Sequence, residues 1–327
     1  MDSRSMVFSA RSKLFPAEGT LLMKLLAVCL LMLGSGSLSG QHVTRNQGVA
    51  HGTAIEIAYE TLGTRGTSLP IIAINGGPGL THAYMLQNDM WERIARKRMV
   101  VFYDQRGTGR SKPAKSAARL TQGMPEQVAD LEAVRQALKL DKFALLGDSY
   151  GGLVAMAYAA AYPQHVASLI LSDSPGPNWK SIVHLLPEVF PDIQEQDANE
   201  MQKLGEGTDA AARASLRNHF RMIFYSPEKR ETYIAHMGDL GFEPAVAEAV
   251  SKATENLDLT PKLAGFRLPT LVMNGRYDMN VAPLTAWRLA HAIAGAKLVF
   301  FEHSGHLPSY EEPERYVRVL EEFLNSR

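Results

Sequence analysis

Cysteine is nearly absent: the 327 residues hold one, Cys29. A lone thiol leaves no internal disulfide and no Cys-based metal cluster to build on. A surplus of either charge is also missing, because 34 Lys and Arg face 34 Asp and Glu. Without a basic excess, neither nucleic acid nor an anionic membrane surface is an expected partner. Long hydrophobic runs are lacking as well. The apolar stretch Leu25 to Leu33 is shorter than the roughly 20 residues a bilayer span needs. Neither an internal repeat nor a low-complexity segment follows residue 40. What remains is ordinary globular composition, 46% hydrophobic and 21% charged, enough for one large α/β domain with an insertion.

The first 40 residues differ from the rest. Met23-Lys24 precedes the apolar run, and small and polar residues follow from Gly34 to Gly40. A positive start, a short apolar core and small residues near a cleavage site are the order of a secretory signal peptide. Residues 1–40 are therefore expected to be a signal and the mature chain to start near Gln41. The protein is then exported, periplasmic or secreted, with no stable membrane span and no thiol. Val28 stands before Cys29 where a lipid-attachment signal has a small residue, so Cys29 reads as an apolar member of the signal core. The competing expectation is that residues 21–39 are kept as an anchor.

Beyond this segment, short apolar runs at 70–74, 99–103, 143–146 and 167–172 read as buried parallel strands. Helical patterns at 125–139 and 150–162 lie between them. Strand-helix-strand alternation predicts a mostly parallel sheet with helices on both faces. The rhythm stops at 176–262, where amphipathic stretches around 182–203, 208–225, 227–237 and 244–256 are separated by Pro and Gly. It resumes with strands at 269–273 and 297–301 and helices at 283–294 and 311–325. The expected organisation is a core of residues 41–175 and 264–327 with a helical cap, 176–263, inserted in it.

Gly147-Asp148-Ser149-Tyr150-Gly151-Gly152 fits G-x-S-x-G between a predicted strand and a predicted helix, the context of a nucleophile elbow. Ser149 is the candidate nucleophile. The tight turn strains its backbone, and glycines flank it because side chains there would meet the adjacent strand and helix. The helix start directs the Tyr150 N–H at a developing oxyanion. A second donor is expected from Asn75-Gly76-Gly77-Pro78-Gly79, the loop after strand 70–74, and is assigned to the Gly77 N–H. The remaining partners follow in the chain order acid, then histidine. Asp278, after strand 269–273, and His306, after strand 297–301, both lie past strand C-termini, where such sheets place catalytic groups. Asp173, after strand 167–172, is the rival acid and His303 the rival histidine. Asp148 is set aside because a neighbour in the elbow points away from the serine hydroxyl. Asp104-Gln105-Arg106-Gly107-Thr108-Gly109-Arg110-Ser111 lacks the Gly-Lys-Ser/Thr of a phosphate loop and reads as a structural loop at the site floor.

Taken together, the GGPG loop, the DQRGTGRS segment, the GDSYGG elbow, Asp278 and the SGH triplet resemble the proline iminopeptidase family over roughly 50–175 and 264–327. That resemblance implies the α/β-hydrolase fold, removal of an N-terminal residue, commonly proline, from peptides, and no cofactor or metal. By motif it implies Ser149 as nucleophile, Asp278 and His306 as its partners, and Gly77 and Tyr150 as oxyanion donors. It also implies a cap whose acidic residues hold the substrate amine. Residues 176–262 carry 14 Asp and Glu against 9 Lys and Arg, with Glu228, Glu248 and Glu255 as candidates. At Asp148 the chain departs from the small residue usual in the family.

The expected chemistry is acyl transfer to Ser149 from a small peptide, ester or amide. An esterase, amidase or lactonase on the same scaffold is the alternative, since fold does not settle substrate. A ligand-binding protein without turnover is the alternative from another class.

Overall fold

The computed structural model describes residues 43–52, 55–111 and 121–326. The expected signal peptide, with Cys29, lies outside the described residues. Among those described, no helix is long and apolar enough to cross a membrane.

Eight strands form one sheet: β1 (Arg45–Gly52), β2 (Ile55–Leu62), β3 (Ile71–Ile74), β4 (Val100–Tyr103), β5 (Phe143–Asp148), β6 (Val166–Ser172), β7 (Thr270–Gly275) and β8 (Lys297–Phe301). Their order is β1-β2-β4-β3-β5-β6-β7-β8. β1 pairs antiparallel with β2 and β2 antiparallel with β4, and every other pairing is parallel. The fold is therefore the expected α/β-hydrolase arrangement, with an antiparallel pair at one edge.

The central strands are apolar throughout because both faces are covered. In β3, Ile72 and Ile74 join one core cluster while Ile71 and Ala73 join the other. β5 divides likewise, Phe143 and Leu145 against Ala144 and Leu146. The first core is closed by α2 (Met124–Ala137), α3 (Gly151–Ala161) and α10 (Pro283–Ala292), through Leu131, Val134, Leu153 and Leu289. The second is closed by α1 (Met90–Ala95) and α12 (Pro313–Asn325), through Trp91, Ile94, Leu320 and Phe323. Each fully buried Leu, Ile, Val or Phe contributes about 1.5–3 kcal/mol, so the two cores hold the strand ends that carry the site.

Between β6 and β7 the chain forms six helices: α4 (Leu186–Val189), α5 (Pro191–Leu204), α6 (Asp209–Met222), α7 (Pro227–His236), α8 (Pro244–Thr254) and α9 (Thr260–Leu263). A single helix was expected over 182–203, but the chain breaks there. Proline lacks the N–H that a helix interior uses and favours the first turn, so Pro191 opens α5 instead of continuing α4. A short α11 (Pro308–Glu311) precedes α12, and Pro313 divides them in the same way.

Candidate active site

Ser149 stands between β5 and α3 with φ +48°, a left-handed conformation that costs a non-glycine residue of order 1 kcal/mol. The surrounding packing enforces it. A Cβ on Gly147 would lie 2.4 Å from the Gly151 carbonyl oxygen, and one on Gly151 2.4 Å from that of Ile74. The Ser149 N–H donates to the Ser172 carbonyl at 2.9 Å, pinning the turn to β6.

Three of the sequence-derived candidates meet in one hydrogen-bonded chain. Ser149 Oγ lies 3.0 Å from His306 Nε2, and His306 Nδ1 lies 2.7 Å from Asp278 Oδ2. The other Asp278 oxygen accepts the N–H groups of Asn280 and Val281 at 2.9 and 2.8 Å, so the carboxylate is held on two sides. Both Asp278 and His306 are buried. Burial pushes the imidazole pKa down, but the carboxylates of Asp278, Asp173 and Asp148 more than offset it and raise it to about 9. The Asn280 side-chain nitrogen, a neighbour the sequence did not signal, lies 3.2 Å from Nε2.

The rivals make other bonds. Asp173 Oδ1 accepts the Gly275 N–H at 2.9 Å, and its other oxygen accepts the Ser172 hydroxyl. Burial, reinforced by the Asp278 charge, pushes its pKa well up. His303 is exposed, with its ring edge-on to Tyr225. Asp173, Asp278 and His306 form the one cluster with metal-ligand spacing among the described residues. Their ligand atoms are already engaged with one another, with Gly275 and with Ser172, which suits a proton relay better than an ion.

Gly77, φ +122°, and Tyr150 both line the cavity above Ser149. The neighbouring Gly76 N–H is spent on the Tyr84 hydroxyl, at 2.5 Å. A Cβ on Gly76 would fall 2.7 Å from that of Ser149, so only a glycine lets this loop pass so close to the serine. The loop is tied down from both sides. Asn75 Nδ2 donates to the carbonyls of Gly76 and Leu80, and Gln105 Nε2 donates to the Asn75 carbonyl at 2.7 Å. Arg106 in turn grips Asp130 with two bonds of 2.7 and 2.8 Å. The DQRGTGRS segment thus braces the glycine loop.

The cavity is about 460 Å³, within the range of small-molecule sites. The core supplies Leu80, Tyr84 and Val281 to its walls, and the segment between β6 and β7 supplies Leu216, His219 and Phe220 among others. Glu228, Glu248 and Glu255, the acids singled out for amine binding, are exposed and absent from the lining. Amphipathic patterning located their helices but could not show that they sit on outward faces. The acidic residue that does line the cavity is Asp148, whose carboxylate is bonded to the Tyr84 hydroxyl. Burial raises its pKa to about 6 against the lowering effect of that bond.

Two further groups escaped sequence reasoning. Tyr84 links Asp148 to the glycine loop. Glu311 is almost fully buried and accepts the N–H groups of Gly305, Tyr225 and Ser226 at 2.7, 3.0 and 2.8 Å. It fastens the loop carrying His306 to the chain that follows α6. No local pattern marks either residue, because the bonds to Asp148 and to Tyr225 and Ser226 join segments distant in sequence.

The family model described as α/β hydrolase fold matches residues 70–313. Proline iminopeptidase from Lactobacillus helveticus is 30% identical over 284 residues, 83% of this chain and 94% of that protein. Proline iminopeptidase from Saccharolobus solfataricus is 29% identical over 309 residues, 88% and 95% of the two chains. Among solved structures, a thermophilic esterase from Thermogutta terrifontis is 27% identical with a TM-score of 0.62, covering 86% of this chain and 98% of its own. The enol-lactonase from Burkholderia xenovorans, 24% identical with a TM-score of 0.66 and covering 85% and 100%, shares the fold. The resemblance read from the motifs is thus matched by relatives along most of the chain, which belongs to the α/β-hydrolase fold family.

Proposed function

We propose that this hydrolase works by acyl transfer through Ser149 and that it is an aminopeptidase releasing an N-terminal residue, preferentially proline, from peptides. The observation that carries the first part is the unbroken chain from Ser149 through His306 to Asp278 at the wall of the cavity. His306 as free base takes the hydroxyl proton while Ser149 Oγ bonds to the carbonyl carbon. The N–H groups of Gly77 and Tyr150 receive the oxyanion. Asp278 keeps Nδ1 protonated and stabilises the imidazolium. That imidazolium returns its proton to the leaving amine, and water repeats the sequence on the acyl-enzyme. The helices between β6 and β7 serve as a cap that shields this chemistry from water.

The peptidase part is supported by the proline iminopeptidase relatives. A second reading, an esterase or lactonase for uncharged substrates, is favoured by the mostly apolar walls of the cavity. Hydrolysis of prolyl, alanyl and leucyl p-nitroanilides, beside their N-acetylated forms and simple p-nitrophenyl esters, separates the two. Cleavage of the free prolyl anilide, abolished by acetylation, is the expected result. Turnover of esters alone would remove the peptidase reading and leave the acyl-transfer chemistry standing.

A further inference from the structure

An aminopeptidase brings an ammonium group into its site, two bonds from the carbonyl it attacks. Shut away from water without a carboxylate partner, that charge costs several kcal/mol. Something in the wall must meet it. Among the described residues lining the cavity, Asp148 is the sole carboxylate, and neither Lys nor Arg is present.

We propose that Asp148 is the group that recognises the substrate's free amine, making the residue before the nucleophile the determinant of specificity for N-terminal, cationic substrates. The proposal rests on the aminopeptidase reading and gives it a named partner.

Several observations support it. Asp148 adjoins Ser149, so their Cα atoms are about 3.8 Å apart, and both residues line the cavity. A carbonyl held at the serine therefore brings its α-amine into the cavity that Asp148 also lines. The carboxylate is also preoriented. The Tyr84 hydroxyl donates to Oδ2, while the same hydroxyl accepts the Gly76 N–H. Tyr84 is itself fixed, because the Tyr233 hydroxyl from α7 donates to its carbonyl at 3.1 Å. Ordering a charge in advance reduces what binding must spend on orientation. Burial lifts the Asp148 pKa only to about 6, so the group is ionised at and above neutral pH. Among the described residues, the rest of the wall offers no second negative charge. His219 is held neutral by burial and by the His306 charge, its pKa lowered to about 4.

The test uses the full-length enzyme and two p-nitrophenyl esters, of proline and of cyclopentanecarboxylic acid. These acyl groups share a five-membered ring and differ in the amine. The wild type is expected to favour the prolyl ester. In Asp148→Asn, which keeps the side-chain shape and an acceptor for Tyr84, the ratio of the two kcat/KM values should fall about ten- to a hundredfold, the range for one lost charge-assisted hydrogen bond. Asp148→Ser should lose the same preference, which guards against a misfolded Asn variant. Tyr84→Phe should depress both esters together, because it releases the glycine loop. An unchanged ratio in both Asp148 variants, with the wild-type preference intact, would overturn the assignment alone. Equal losses on both esters would overturn it in favour of a role in positioning the glycine loop through Tyr84. A wild type without any preference for the prolyl ester would instead remove the aminopeptidase reading itself.

Discussion

Two buried aspartates lie within reach of His306, and the structure makes opposite predictions for them. In Asp278→Asn, the new Oδ1 can still accept the N–H groups of Asn280 and Val281, which lie at 2.9 and 2.8 Å. The amide NH2 then faces Nδ1, where Oδ2 now sits 2.7 Å away. Two donors cannot share that contact, so the imidazole loses its Nδ1 proton and carries one on Nε2, facing Ser149. In that tautomer it cannot accept the hydroxyl proton. Loss of the equivalent carboxylate in a serine protease lowers kcat by about 10⁴, close to 5.4 kcal/mol at 1.36 kcal/mol per decade. A loss of that order is expected here. In Asp173→Asn the replacement Oδ1 still accepts the Gly275 N–H, and the Ser172 hydroxyl can turn to accept from the amide. Because Asp173 bonds Gly275 and Ser172 while His306 Nδ1 bonds Asp278, the imidazole keeps its tautomer, and kcat should stay within about tenfold, one decade of barrier. Steady-state hydrolysis of p-nitrophenyl acetate by both purified variants, with near-ultraviolet circular dichroism to check packing, measures the contrast. An Asp173→Asn loss as large as that of Asp278→Asn would refute the assignment of the acid.

The pH dependence follows from His306. Its pKa of about 9 means that the free base forms in alkaline solution, so kcat/KM should climb with pH and level above about 9; a plateau reached by pH 7 would contradict the coupling to Asp278. The same shift stabilises the fold: with the folded pKa above the unfolded value near 6.5, the contribution is complete below that pH and disappears as pH rises through about 9, which urea titrations across this window would reveal. Glu311→Gln turns one acceptor toward three N–H groups into a donor; with bonds to a charged group worth about 1.5–3 kcal/mol each, unfolding free energy should fall by about 2–3 kcal/mol and kcat with it, and an unaltered denaturation midpoint would refute the latch.

The central sheet was legible because its strands are short apolar runs between turn residues, and β3 through β8 lie within a residue or two of the predicted runs. The pair β1 and β2 was not. β1, Arg45–Gly52, is exposed along most of its length, so no buried run marks it. β2, Ile-Glu-Ile-Ala-Tyr-Glu-Thr-Leu, does alternate at its start, a pattern of half-buried antiparallel strands that a search for continuous apolar runs passes over. Ser149, Asp278 and His306 were legible for a different reason. Parallel strands bring the residues after their C-terminal ends to one edge of the sheet, whatever their separation in sequence. Nothing comparable orders Tyr84 and Glu311, whose partners come together only when loops and helices pack.

The cap marks the boundary between these cases. Leu216, His219, Phe220 and Ile223 recur at helical spacing, and all four line the cavity. The periodicity announces an inward face for α6, but Glu228, Glu248 and Glu255 belong to later stretches, and only the structure shows them exposed. An amphipathic helix that buries its apolar stripe over a nucleophile cannot at the same time present its charged face there. The polar member of the stripe is His219, and burial keeps it neutral. On the proposed aminopeptidase reading, charge recognition then falls to the sheet edge beneath these helices. Along that edge the acidic residue that lines the cavity beside Ser149 is Asp148, so on that reading the surplus of acids between β6 and β7 does not locate the amine site.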